Sequence, residues 1–283
     1  MPKVSAIIPA FNEAENIALV VDGMMALRDQ AGQPVIHEII VADNGSADAT
    51  ASVATAAGAI VITVANKGYG SACASACSIA TGDIFLFVDG DHTSELTQAT
   101  WLLDAIAQGA DLAIGVRKHA AQGSLTLPQR LGNQFACFLV RQIWAVPIAD
   151  LGPFRAIRRI AYERIGMRDR AYGWTIEMQI RAAQLKLRTT DVAVSWLPRH
   201  AGQSKISGTL TGVIGAAWGI LSMIVRLRWR QLLTSARQIP IHHRHPRAPT
   251  LALTTGVTSV DSLPAGQALL NSTTLRRPNL VQE

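Results

Sequence analysis

With 283 residues the chain has room for one large catalytic domain plus an appendage, or for two small domains. A composition of 49% hydrophobic and 16% charged residues supplies a sizeable core and excludes collagen-like and wholly disordered chains. The net charge of +6 is local: residues 1–225 hold 18 Lys and Arg against 18 Asp and Glu, and from Arg226 onward eight Arg face only Asp261 and Glu283. A basic tail on a neutral body suits an anionic surface, membrane or nucleic acid, better than an acidic substrate in the core, with solubilising charge as the plainer reading.

Val4 to Ile8 is an apolar, β-branched run stopped by Pro9, the pattern of a buried strand. A helix is expected next, capped by Asn12 with Glu15 three residues on, its apolar face made by Ile17, Val20, Val21 and Met24. A second strand is expected over Ile36 to Ala42. The turn Asp43-Asn44-Gly45-Ser46 then opens a helix that includes Ala47 to Ala57, for which Asp43 or Asn44 is a candidate cap or turn residue. A third strand, Ala59 to Val64, ends at Asn66-Lys67-Gly68-Tyr69-Gly70, ahead of a small-residue helix from Ser71 to Ala80. The fourth strand, Ile84 to Val88, runs into Asp89-Gly90-Asp91.

Strands that alternate with helices, each an unbroken apolar run, predict an α/β fold with a parallel sheet covered on both faces. Ligands of such sheets bind at the carboxyl ends of the strands. Pro9 to Glu13, Asp43, Asn66 to Gly70 and Asp89 to Asp91 all fall there and are predicted to line one cleft.

The second half is less regular. A strand is expected over Asp111 to Val116, then a polar, Gly-containing loop from Arg117 to Pro128 of the kind that moves. Helices at about Gln129 to Trp144 and Thr175 to Leu187 flank a strand-like Phe154 to Ile157, and Arg188 to Trp196 closes the domain. Ile206 to Val225 carries no charged residue, and Gly208, Gly212, Gly215 and Gly219 lie along it. About 20 predominantly apolar residues are needed to span a bilayer, which makes this segment a marginal candidate for crossing. Arg226, Arg228 and Arg230 follow at once with Leu227 and Trp229 between them, a pattern suited to an interface with anionic headgroups. A helix packed on the catalytic domain is the alternative. Beyond about Arg237 the composition is that of a disordered tail. The expected organisation is therefore a catalytic domain over 1–205, an apolar and then basic helical segment over 206–236, and a tail over 237–283.

Cys73, Cys77 and Cys137 lack zinc-ligand spacing and are expected as small buried residues in a reducing compartment. The opening MPKVSAIIPAFNE passes straight into a strand, so no signal peptide is expected.

Asp89-Gly90-Asp91 is the sharpest chemical feature. Two carboxylates one residue apart, after a buried strand, can hold a hard divalent cation that keeps several waters and takes its other ligands from substrate phosphates. Asp43, at the neighbouring strand end, can accept hydrogen bonds from a nucleoside base or ribose.

The strings VSAIIPAFNEAENI, VADNGSADAT, NKGYGSACASACSIATGDIFLFVDGDHT, DLGPFRAIRR and RHAGQSKISGT, in that order over about residues 3–230, resemble the successive motifs of family 2 glycosyltransferases, most closely the dolichyl-phosphate (polyprenyl-phosphate) mannose and glucose synthase branch. The resemblance implies a glycosyltransferase A fold with a mostly parallel, Rossmann-like sheet, a nucleotide-diphosphate sugar donor, a divalent metal (Mg²⁺ or Mn²⁺) and inversion at the anomeric carbon. It implies that Pro9, Ala10, Phe11, Glu13, Asp43 and Gly70 frame the nucleotide sugar and that Asp89 and Asp91 hold the metal against the diphosphate. By the same resemblance Arg199 and Lys205 neutralise phosphate, and Arg117 and Arg130 meet a polyprenyl-phosphate acceptor. Asp150 is the candidate base or acceptor-positioning carboxylate, and Glu177 the second candidate. The chain departs from the family pattern at Asn44, where a second acid is common, and at Thr93, where the mannose-synthase branch often has Gln.

Displacing a nucleoside diphosphate builds negative charge on the leaving oxygen, which a metal and nearby cations stabilise. An acceptor that is itself a phosphate is already ionised at neutral pH and needs a strong base less than a hydroxyl does. A dehydrogenase would need G-x-G-x-x-G after the first strand, and a nucleotidyltransferase a Gly-rich basic signature; Pro-Ala-Phe-Asn-Glu stands there instead. No recognisable nucleic-acid reader accompanies the basic tail. The expectation is an inverting hexosyltransferase, peripheral on the cytoplasmic membrane face, with oligomeric state left open. A transferase acting on a soluble or glycan hydroxyl, and a non-catalytic nucleotide-sugar-binding scaffold, are the alternatives.

Overall fold

The computed structural model describes residues 2–120, 127–202 and 210–237. Seven strands form one sheet in the order β3-β2-β1-β4-β6-β5-β7. The central strand β1 (Val4–Ala10) is buried along its whole length. It pairs in parallel with β2 (Glu38–Asp43) on one side and β4 (Ile84–Phe87) on the other, and β3 (Ile60–Thr63) extends the parallel half. Alternation along β1 divides the core: Val4, Ala6, Ile8 and Ala10 pack with α1 (Ile17–Ala26) and α4 (Ala99–Ala107), while Ile7 points to α3 (Tyr69–Ile79) and α7 (Trp174–Gln184). Apolar material on both faces is why these strands read as continuous hydrophobic runs.

The sheet is mostly parallel, as expected, and one strand runs against the rest. Strand β6 (Arg155–Arg158) runs antiparallel to both β4 and β5 (Leu112–Ala120), and β5 pairs in parallel with β7 (Thr189–Trp196). A short apolar run has no direction written in it. Strand β5 is also longer than expected, so Arg117 lies within it, opposite Val194, at a register irregularity between Arg117 and His119.

A second correction concerns Asn12. It caps no helix: its φ is +53°, its backbone N–H donates to Ser46 Oγ at 2.9 Å, and its Oδ1 accepts from Ala47 N at 2.8 Å. Helix α1 begins only at Ile17, after a turn in which Asn16 N and Ile17 N both donate to Glu13 O. Tertiary bonds to the 46–50 turn prevail over the local capping pattern. Helix α2 (Thr50–Ala56) has Ala49 at its N-cap, so Asp43 and Asn44 act in the turn instead of capping. Helix α4, and α6 (Arg159–Ile165) after β6, complete the layers; neither was legible in the pattern read from the sequence.

Helices α5 (Leu127–Trp144) and α8 (Leu210–Arg237) form a third apolar cluster with α7: Ala136, Cys137 and Val140 meet Ile176, Ile180, Met223, Ile224 and Leu227. Close approach of α8 depends on Gly173, where a Cβ would come within 3.0 Å of Met223 Cβ. Among the described residues no helix is long and apolar enough to cross a membrane. The three cysteines are buried and unpaired. Residues 121–126 of the expected loop, Lys205, Gly208 and the tail from residue 238 lie outside the described residues.

Candidate active site

The carboxyl ends of the parallel strands bring together most of the predicted residues. Ala10 pairs with Asp43 across β1 and β2. Asp43 is buried, and its Oδ1 accepts from Ser46 N at 3.1 Å and from the Ser46 hydroxyl, which shapes the turn after β2. Asn44 then bridges to the next strand end: its Nδ2 donates to Asn66 O at 3.1 Å and its Oδ1 accepts from Gly68 N at 2.7 Å. An acid at 44 could not make the first of these bonds, which gives the departure from the family pattern a structural reason. Pro9 lies near the end of β1, and Phe11 just beyond it is 39% exposed, a large aromatic presented at the rim. A pocket lined by Asn12, Glu13, Asn16, Ala47, Asp48 and Gly202 opens beside it.

Asp89 and Asp91 follow β4, and Gly90 between them packs within 3.4 Å of Pro9 O and Ala10 Cβ if given a Cβ, so the two carboxylates flank the end of β1. The Tyr69 hydroxyl donates to Asp89 Oδ1 at 3.1 Å. Burial, followed by the charge of Asp91, pushes the Asp89 carboxyl up to about 7, against the pull of the Tyr69 hydrogen bond, Arg117 and Arg199. Asp91 Oδ1 accepts from Thr93 N at 3.2 Å and Thr93 Oγ1 at 2.7 Å, and Asp91 Oδ2 accepts from Arg199 Nη2 at 2.7 Å. Thr93 thus orients Asp91. Among the described residues no group of three or more His, Cys, Asp or Glu side chains is gathered to hold a metal. Two hard carboxylates at a strand end fit a cation such as Mg²⁺ or Mn²⁺ that completes its shell with waters and phosphate oxygens.

Gly70 lies under the 169–174 loop, where a Cβ would meet Asp169 O at 2.5 Å and Trp174 Cδ1 at 2.8 Å. Its smallness lets that loop close on the start of α3 and hold Tyr69 toward Asp89. Glu177, the second catalytic candidate, is fully buried. Its Oε2 accepts from Arg168 N at 2.9 Å and Asp169 N at 2.7 Å, and its Oε1 faces Arg181 Nε at 2.9 Å. Its carboxylate braces the loop from behind.

On the far side, Asp150 and Arg117 form one ion pair. Asp150 Oδ2 accepts from Arg117 N at 2.9 Å and Nε at 2.8 Å, and Oδ1 from Nη2 at 2.5 Å. The guanidinium also lies over the Trp196 ring, 5.2 Å from its centroid. Asp150 is held in turn through its carbonyl, which accepts from Gln179 Nε2 at 2.9 Å. Behind it Arg155 is entirely buried, bound to the carbonyls of Gly152 and, at 3.0 Å, Thr175. Burial lowers its pKa to about 10. Arg155 therefore folds the Asp150-Leu151-Gly152 turn around itself. Arg130 is exposed on the first turns of α5. Arg155 and Trp196 were missed as site residues because each stands in an apolar run that reads as a strand; Tyr69 falls within Asn66 to Gly70, expected at the cleft, but was given no role there.

The family model "Glycosyl transferase family 2" matches residues 5–166. The chain is 32% identical over 222 residues to an uncharacterized glycosyltransferase of Mycobacterium tuberculosis, covering 77% of this chain and 98% of that one. It is 29% identical over 213 residues to an undecaprenyl-phosphate 4-deoxy-4-formamido-L-arabinose transferase of Pectobacterium carotovorum, covering 72% of this chain and 62% of that one. Among solved structures it resembles glucosyl-3-phosphoglycerate synthase from Mycobacterium tuberculosis in complex with Mn²⁺, UDP-glucose and phosphoglyceric acid, with a TM-score of 0.64, 21% identity, and 79% and 80% of the two chains covered. That likeness identifies the architecture as the glycosyltransferase A fold.

Proposed function

Because the chain belongs to glycosyl transferase family 2, we propose that it transfers a hexose, with inversion, from a nucleotide-diphosphate sugar to a polyprenyl-type phosphate at a membrane surface. The observation that carries this reading is that the Arg117 guanidinium, held by Asp150, is near enough to Asp89 for its charge to favour that carboxylate, which sets an arginine for an anionic acceptor beside a cation site for the leaving diphosphate.

A divalent cation bound to Asp89 and Asp91 supplies charge for the departing diphosphate. Tyr69 and Thr93 hold the two carboxylates in place. Asp43, Phe11 and the 12–16 turn frame the nucleotide. Arg117, oriented by Asp150 and Trp196, binds the acceptor phosphate as an ionic partner, and Arg130 on α5 approaches from the surface. In this arrangement Asp150 acts by positioning Arg117, in keeping with an acceptor already ionised at neutral pH.

Peripheral attachment to a membrane is supported by two outward apolar stripes. On α8, Trp218, Leu221, Val225, Trp229 and Leu232 recur every three or four residues and are exposed, opposite the buried Met223, Ile224 and Leu227. Exposed Leu131, Phe135 and Phe138 repeat this on α5. Tryptophan with arginine beside it suits the headgroup layer.

The decisive assay incubates the purified chain with labelled nucleotide sugars, a polyprenyl phosphate and Mn²⁺. Label passing into the organic phase is the expected outcome. Label in a water-soluble product would replace the lipid acceptor with a soluble one, and nucleotide-sugar binding without transfer would leave the scaffold reading.

A further inference from the structure

Arg199 makes bonds that a donor-phosphate contact does not require. Its Nη1 lies 2.8 Å from both oxygens of Glu13, and its Nη2 lies 2.7 Å from Asp91 Oδ2. With Thr93 on Asp91 Oδ1, both oxygens of one expected metal ligand are engaged by protein groups.

The two ends of this bridge are unequal. Glu13 is 6% exposed and tied down: its N–H donates to Thr50 Oγ1 at 2.8 Å, and its Oε2 also accepts from Asn16 Nδ2 at 2.8 Å. Asn16 clamps the chain next to Arg199, donating to Ala201 O and accepting from Ala201 N, each at 3.2 Å. The Asp91 end is a single N–H contact in the cleft. A guanidinium presents several donors in a fixed fork, so it can release one carboxylate while keeping the other.

We infer that Arg199 is a resident counter-ion that competes with the divalent metal for Asp91. Arrival of metal together with nucleotide diphosphate displaces Nη2 from Asp91 Oδ2, Glu13 retains Nη1, and the freed fork turns to the diphosphate. Glu13, Asp89 and Asp91 are three acids, and Arg199 already balances one of them. A bare divalent ion must therefore approach a site where a cation is in place, whereas the diphosphate brings the negative charge that draws Arg199 away. Metal and nucleotide are consequently coupled, each tightening the other. The inference rests on the donor reading above and adds to it a coupling between metal and nucleotide.

The test reads free Mn²⁺ by electron paramagnetic resonance as protein is titrated in, without nucleotide and then with UDP or GDP, whichever raises the melting temperature of the chain. Arg199→Gln is expected to bind Mn²⁺ alone about tenfold more tightly than the wild type and to lose most of the tightening by nucleotide. Glu13→Gln, which shifts the arginine's attraction toward Asp91, is expected to weaken binding of Mn²⁺ alone. The opposite signs protect the test should either variant fail to fold. Unchanged or weaker Mn²⁺ binding by Arg199→Gln, or unchanged binding by Glu13→Gln, overturns the inference. No acceptor and no transfer enter the measurement. Lipid transfer with unchanged Mn²⁺ affinity would overturn the counter-ion role alone, and the expected Mn²⁺ shifts without transfer would overturn the transferase assignment alone.

Discussion

At the scale of the residue, the roles of Asp91, Arg117 and Glu177 separate by what each side chain touches. Asp91 binds only the Thr93 groups and Arg199 among the described residues, at a strand end outside the apolar clusters. Asp91→Ala is therefore expected to abolish transfer while circular dichroism and melting stay near wild type, and chelator should reproduce the loss in the native chain; full activity of the variant in metal-free buffer would remove Asp91 from the metal. Arg117→Ala deletes a charged hydrogen-bonding partner worth about 1.5–3 kcal/mol, roughly tenfold to a hundredfold. That loss should appear in the acceptor KM or in kcat, with nucleotide binding unchanged, and Arg130→Ala should act in the same direction. Weakened nucleotide binding with normal acceptor dependence would move both residues to the donor side. Glu177→Ala strands the Arg181 charge and frees two backbone N–H groups, so a stability loss of about 3 kcal/mol is expected in denaturant unfolding. Activity per folded molecule should largely survive; a normal melting curve with no activity would make Glu177 catalytic.

At the scale of the element, α8 carries two apolar faces in different surroundings. One joins the body through Met223, Ile224 and Leu227; the other leaves Trp218, Val225 and Trp229 between 65% and 73% exposed. Exposed Arg226 and half-buried Arg228 flank that outer stripe. Burying such a side chain in a bilayer interface contributes about 2 kcal/mol. Trp218→Ser with Trp229→Ser should accordingly lower partition onto anionic vesicles tenfold or more in a flotation assay, with the melting temperature kept because neither side chain is in the core. Unaltered flotation would return the stripe to ordinary surface. The same reasoning explains why apolar content alone misleads for this segment: its helix buries one side in protein, so its hydrophobicity is shared between a core and a surface.

At the scale of the whole molecule, a sheet that presents its strand ends at one edge gathers the candidate site residues from segments between Pro9 and Arg199, and the proposed membrane contact is tested on the whole chain. Full-length protein in cells should sediment with membranes and be released by carbonate or high salt, as a peripheral protein is. Retention until detergent would indicate a span, and protein found soluble without a wash would contradict attachment.

Much of this was written in the residue order. Unbroken apolar runs ending in Pro9, Asp43 and Asp89 determine strands whose ends meet, because a buried parallel sheet admits only such runs and its crossovers return every strand in one direction. The motif strings identify the family and single out Asp89 and Asp91 by local pattern. Tertiary structure alone decided the rest. The direction of β6 depends on its neighbours, since antiparallel and parallel pairing use the same side chains. The Arg199 bridge joins Glu13 to Asp91 from 186 and 108 positions away, and no periodicity records a contact of that separation. Glu177 and Asp150 are both acids singled out from the sequence, yet one faces buried backbone N–H groups and the other an arginine. What an acid does is set by the donors that the fold brings to it, and those come from elsewhere in the chain.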